Sequence, residues 1–229
     1  GAAARAGEKL KAKLVAIASH HLNIAADQLV YAGGDVLTPD GRKLSWNDAV
    51  DLAHRQFHNL PDGMDPGLAA FDIMQVPTGN ELPVDGKVQM YPCYSFEFHL
   101  VLVAFDPVIC RPEIRAYIIG HDCGTVINPA IVSGMTYGGI AHGIGAALFE
   151  EFAYDSNGQL MTQSFLDYLM PSSHEVPSIK IVKHCTPSPH TVFGQKGSGE
   201  SGYLGAPAAV SGAINDAVSS LGIHFEKLP

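Results

Sequence analysis

The sequence predicts an α+β protein with mixed helices and sheets. Three observations point there. Apolar stripes at helical spacing fall at residues 8–22, 45–57, 125–149 and 207–221. Alternating or continuous apolar runs fall at 28–36, 94–105, 113–120 and 178–184. Their order never settles into the regular β-α-β alternation of a doubly wound sheet.

Taken in order, residues 8–22 place Leu10, Leu14, Ile17 and Leu22 on one helical face, with Lys9, Lys11 and Lys13 opposite. Residues 28–36 suit a short hairpin around Gly33-Gly34. Ser45, with Asp48 three residues on, marks the start of a helix running to about Phe57. His54 and His58 lie one turn apart on it, but no Glu completes a metalloprotease motif and a solvated pair is the simpler reading. Residues 60–87 are rich in Pro, Gly and Asp and read as a long loop between lobes 1–60 and 90–229. Two strands follow, over 94–105 and 113–120, with turn residues Asp106-Pro107 and Arg111-Pro112 between them. Residues 125–149 carry no charge and include Gly134-x-x-x-Gly138. Asn128, Thr136 and His142, with glycine recurring at 139, 143 and 145, argue against a membrane span and for a helix buried in protein. Asn128 is its cap, with Pro129 at its first position. Residues 152–168 suggest a hairpin turning at Asn157-Gly158, and 178–184 a further strand.

Composition narrows the class. The chain has 229 residues, is 46% hydrophobic and 16% charged, and carries a net charge of −9. It can bury a sizeable core and offers no basic footprint for nucleic acid. Cys93, Cys110, Cys123 and Cys185 form no C-x-x-C pair, which disfavours a zinc ribbon or an iron–sulfur cluster held by this chain alone. No signal-peptide pattern is present, and the thiols are most simply read as reduced and cytoplasmic.

The most distinctive stretch is Gly194-Gln195-Lys196-Gly197-Ser198-Gly199-Glu200-Ser201-Gly202. One carboxylate stands among glycines, whose missing Cβ lets backbone N–H groups approach a bound group. The apolar stripe that follows has Pro207 in its first turn and Gly222 placed to cap its end. The P-loop spacing fails because Glu200 stands where a Lys belongs. The dinucleotide fingerprint G-x-G-x-x-G fails because no buried strand precedes it and no second βα unit follows. What remains is an anion cradle with a base beside it, or a glycine-rich surface turn.

Ordered motifs decide between them: HDCGTVINP at 121–129, GGIAHGIGAALFEE at 138–151, SFLDYLMP at 164–171, HCTPSP at 184–189, KGSGESGYLGAP at 196–207 and GIHFEKLP at 222–229. Together they resemble the molybdenum-binding large subunit of the xanthine dehydrogenase, aldehyde oxidase and carbon monoxide dehydrogenase family. The resemblance implies that the whole chain, 1–229, is the C-terminal part of such a subunit, the C-terminal half of a molybdopterin-binding domain. It implies that Glu200 is the active-site base, in a water-poor loop, and that Lys196, Gly197, Ser198 and Gly199 lie against a molybdenum-pterin cofactor. His142 stands where the family commonly has glutamine, also against the cofactor. The family's earlier cofactor-binding segments are absent from these residues. The resemblance therefore implies a cofactor shared with another molybdenum-binding chain carrying the N-terminal half, as in the divided subunit of nicotinate dehydrogenase. Iron–sulfur clusters and FAD are then expected on partner subunits, and the implied reaction inserts water-derived oxygen into an N-heteroaromatic or aldehyde substrate. The alternatives are a non-catalytic structural subunit of such a complex, or a nucleotide-binding module.

Overall fold

The computed structural model describes residues 1–75, 84–88 and 90–227. Part of the expected 60–87 loop and the last two residues of the closing GIHFEKLP motif lie outside them. The chain divides into two compact units, Gly1–Gln75 and Val76–Pro229.

In the first unit, helix α1 spans Ala2–Leu22. It starts six residues before the expected Glu8, because Ala2, Ala3, Ala4 and Arg5 are strong helix formers even without an apolar periodicity. Asn23 ends it at φ 54, a left-handed conformation that asparagine tolerates. Strands β1 (Val30–Ala32) and β2 (Asp35–Leu37) pair antiparallel across Gly33 and Gly34, both with positive φ, as the hairpin reading requires. A third strand, β3 (Lys43–Leu44), pairs with β2; at two residues it is too short to show a period. Helix α2 spans Trp46–His54, and the Ser45 hydroxyl accepts from the Asp48 N–H at 3.2 Å. It stops three residues short of Phe57. His54 Nε2 accepts from the Leu68 N–H at 3.1 Å, so this imidazole anchors the following loop. Leu14, Ile17 and Ala18 of α1 pack with Val36, Leu44, Leu52 and Ala53 to form the core of this unit.

In the second unit, β4 (Phe96–Asp106) and β5 (Arg111–Asp122) form a long antiparallel hairpin. Asp106 Oδ1 closes its turn by accepting from Val108 N–H at 2.8 Å and Ile109 N–H at 3.3 Å. Helix α3 spans Pro129–Leu148, capped by Asn128 Oδ1, which accepts from Ala130 and Ile131 N–H. It is buried on one side only. Ile140, Ile144 and Ala147 enter the core, while Ile131, Met135 and Tyr137 are exposed. Strand β6 (Ile179–His184) returns parallel to β5, giving the sheet order β4-β5-β6. Helix α4 spans Ala206–Val218 and packs on α3 and β4. A 3₁₀ turn then ends at Gly222, φ 71. The expected hairpin over 152–168 reduces to one bridge, Tyr154–Leu160. Asp155 Oδ1 takes the Asn157 and Gln159 N–H groups, and the exposed Phe152, Tyr154 and Met161 give the flanks no surface to pair on. Among the described residues, no helix is long and apolar enough to cross a membrane.

The glycines of α3 divide sharply. A Cβ on Gly139 would stand 2.2 Å from the Ser201 carbonyl oxygen, and one on Gly143 would stand 2.5 Å from Ala206 Cβ, whereas one on Gly138 meets nothing within 4 Å among the described residues. Gly139→Ala is therefore expected to destabilise the second unit by about 1–3 kcal/mol through overpacking. Its neighbour Gly138→Ala is expected to be neutral or to stabilise by up to about 1 kcal/mol through helix propensity. Denaturant midpoints of the two variants test this, and equal effects would contradict it.

Candidate functional site

The glycine loop is built from the end of β5 outward. Gly124, at φ +67, and Gly194, at φ +77, bring two chain segments into contact that no side chain permits; a Cβ on Gly124 would stand 2.2 Å from the Gly194 carbonyl oxygen. Thr125 N–H and Ser188 N–H both donate to that oxygen, and Lys196 N–H donates to Cys123 O at 2.8 Å. Beside this crossing lies Asp122, 5% exposed. It accepts from the N–H groups of Gly124 and Thr186, from the Thr186 hydroxyl, and from Lys196 Nζ at 3.4 Å. Burial acts to raise its pKa, but these donors outweigh it and hold the carboxyl well below the usual carboxylate range. The Lys196 ammonium also donates to Thr186 Oγ1 at 2.6 Å and lies 5.2 Å from the centre of the Phe96 ring. Its charge is spent on tethering the loop.

A second carboxylate holds the far side of the loop. Glu97 Oε1 and Oε2 lie 2.8 and 3.0 Å from the Gly202 N–H. His99 Nε2 lies 3.3 Å from Glu97 Oε2, and His99 Nδ1 is 2.7 Å from the Tyr117 hydroxyl. His121 Nε2 pairs with Ser201 Oγ at 2.9 Å, and Ser201 Oγ with Ser198 Oγ at 2.7 Å. Burial acts to raise the Glu97 pKa; the bonds from His99 and Gly202, and the nearby imidazoles, bring it below its ordinary value. Burial pushes the His121 imidazole down, against the pull of Glu97 and Asp122. Burial also raises the Tyr117 phenol, keeping it a hydrogen-bond donor.

Above this floor opens a cleft of about 590 Å³, lined among others by Glu97, His99, Gly197, Gly199, Glu200 and Leu204. Glu200 stands exposed on its rim, where the described residues supply a wall and no roof. Gly197 and Gly199 have no positive φ, and a Cβ on either would meet nothing within 4 Å among the described residues. Neither backbone conformation nor packing among the described residues explains these two glycines. They leave the loop's backbone open toward the cleft.

Gly197, Ser198, Gly199 and Glu200 thus share one wall, with Lys196 tied beneath it. His142 is exposed on α3 and is not a core histidine; its ring stacks on Tyr203 at 4.2 Å and 21°, outside the residues that line the cleft. Glu97, His99, His121, Asp122 and Ser201 were not singled out from the sequence. No sequence signal marked Glu97 and His99: alternation with Phe96, Phe98 and Leu100 assigns them to the solvent face, whereas the structure exposes those three apolar side chains and turns Glu97 and His99 inward.

A family model described as a molybdopterin cofactor-binding domain matches residues 1–177. The chain is 36% identical to the nicotine 6-hydroxylase large subunit of Paenarthrobacter nicotinovorans, over 100% of this chain and 27% of that one. It is 29% identical to the carbon monoxide dehydrogenase large chain of Hydrogenophaga pseudoflava, again over 100% and 27%. The structure of quinoline 2-oxidoreductase from Pseudomonas putida 86 superposes with a TM-score of 0.74 at 33% identity, covering 97% of this chain and 27% of that one. The chain thus spans about a quarter of the length of these relatives. The glycine loop falls beyond the stretch that the family model matches and within the stretch aligned to the large subunits. With a family model over more than half its length, the chain belongs to the molybdopterin cofactor-binding domain family.

Proposed function

We propose that this chain forms one wall of a molybdenum-pterin cleft in a multi-chain hydroxylase, with Glu200 as the general base. The observation that carries the reading is the pair Gly197 and Gly199, which immediately precede the base and leave open a space that side chains would fill. The residues present fit the group: Gly197, Ser198 and Gly199 offer open backbone on the cleft wall, while His142, expected against the cofactor, stacks on Tyr203 outside the cleft lining. When bound, the cofactor supplies the two-electron redox chemistry. The chain supplies position and proton transfer. Glu200 stands on the rim, where a carboxylate can take a proton from a water-derived nucleophile. Lys196 acts indirectly, by fixing the start of the loop to Asp122 and Thr186.

The substrate class is a small electrophilic carbon compound, an N-heteroaromatic ring or an aldehyde. The relatives' names, which include nicotine 6-hydroxylase and quinoline 2-oxidoreductase, favour the heteroaromatic class. Because the chain spans 27% of those relatives, the opposite wall comes from another molybdenum-binding polypeptide segment. An iron–sulfur subunit and an FAD subunit complete the proposed path for electrons.

Two outcomes test this. Purified alone, the chain is expected to carry no stoichiometric molybdenum by elemental analysis, and to carry it only within a complex; a fully loaded monomer would contradict the shared cleft. In that complex, Glu200→Gln keeps the size and removes the proton acceptor. Molybdenum content should stay near normal, while kcat and kcat/KM fall together by about 10²–10⁴-fold. A variant that keeps both metal and rate would leave the non-catalytic subunit as the better reading.

A further inference from the structure

We propose that Glu97 is a positioning residue for Glu200: its carboxylate accepts the Gly202 N–H from beneath the loop and so fixes where the base stands. The proposal rests on the reading of Glu200 as the base. Only Ser201 separates Glu200 from Gly202. Gly202 has φ +86, and a Cβ there would stand 2.5 Å from the Thr136 carbonyl oxygen, so the peptide at this point has little freedom to move. Its N–H is directed onto Glu97. The turn is completed by Ser201 N–H donating to Ser198 O and Tyr203 N–H donating to Glu200 O.

The acceptor is itself held in one orientation. An ionised carboxylate only accepts, so the His99 nitrogen facing it, Nε2, carries a proton. In the neutral ring Nδ1 is then the acceptor, and the buried Tyr117 hydroxyl donates to it. Tyr117 thus donates to His99 and His99 to Glu97, which also receives the Gly202 N–H, so donors from the core and from the loop converge on one carboxylate. His121 braces it at the side through Ser201, with Nε2 3.8 Å from Glu97 Oε1. Removing Glu97 leaves the Gly202 N–H without its partner and frees the segment that carries the base.

The test uses the assembled, molybdenum-loaded complex with E97A, E97Q and E200Q variants. Amide hydrogen exchange over residues 198–204 reads the clasp, and steady-state kinetics reads its consequence. In E97A the Gly202 amide should exchange at least about tenfold faster than in the parent protein. Its kcat should fall by about 10²-fold, the scale of a small misplacement of a reacting group, with KM changed by less than about threefold. E97Q keeps an acceptor oxygen and should recover most of the protection and most of the rate. E200Q should lose rate with Gly202 protection unchanged; an E200Q that keeps its rate overturns the link to catalysis through the base reading, independently of the exchange data. Unchanged Gly202 protection in E97A overturns the clasp itself. Faster exchange with unaltered kcat overturns its role in positioning. Should E97A fail to assemble, E97Q decides: parental exchange with a rate as low as that of E200Q would make Glu97 a reacting group and overturn the proposal.

Discussion

Two carboxylates receiving backbone N–H groups, Asp122 buried and Glu97 half-buried, hold the second unit's glycine loop in place. Asp122 takes Gly124 and Thr186, and Glu97 takes Gly202. Burying a carboxylate is unfavourable unless several donors meet it, and here several do. The strands supply the rigidity. Glu97 and Asp122 sit on the paired strands β4 and β5, whose register places Phe96 opposite Asp122 and Glu97 opposite His121. A loop without regular structure is thereby fixed to a sheet through hydrogen bonds that tolerate little displacement.

Glycine does two different jobs around this anchor. At Gly124, Gly139, Gly194 and Gly202 it permits contacts that a Cβ would block, bringing β5, α3 and the loop together. At Gly197 and Gly199 it leaves the outer surface open. The first group belongs to folding, and packing among the described residues makes no such demand of the second, though Gly194, Gly197, Gly199 and Gly202 lie within one short stretch. This is why the loop can be tightly held from below and accessible from above.

Much of this was legible in the sequence. Ser45 and Asn128 marked helix starts, Gly33-Gly34 a hairpin, and the ordered motifs the family, since each is a local signal with a local cause. Strand β3 was not legible, because two residues carry no period; the turn at Asn157-Gly158 was, but not that its flanks would pair only at Tyr154–Leu160. The floor of the site was hidden for another reason. Glu97 and His121 stand 24 residues apart in the chain and 105 and 80 residues from Gly202 and Ser201, so their partnership exists only in the fold. Lys196 had the opposite history: its place before the glycine loop implied a cofactor contact, while the structure engages its ammonium with Asp122 and Thr186.

In the proposed function the open side of Gly197 and Gly199, with Glu200 beside it, faces the molybdenum group. A molybdenum anomalous-difference map from crystals of the assembled complex tests it most directly. A metal peak is expected in the cleft above residues 197–200, with the Glu200 carboxylate no more than one water from the metal's ligands. A peak elsewhere, with Gly197 and Gly199 covered by protein side chains and Glu200 facing bulk water, would contradict it.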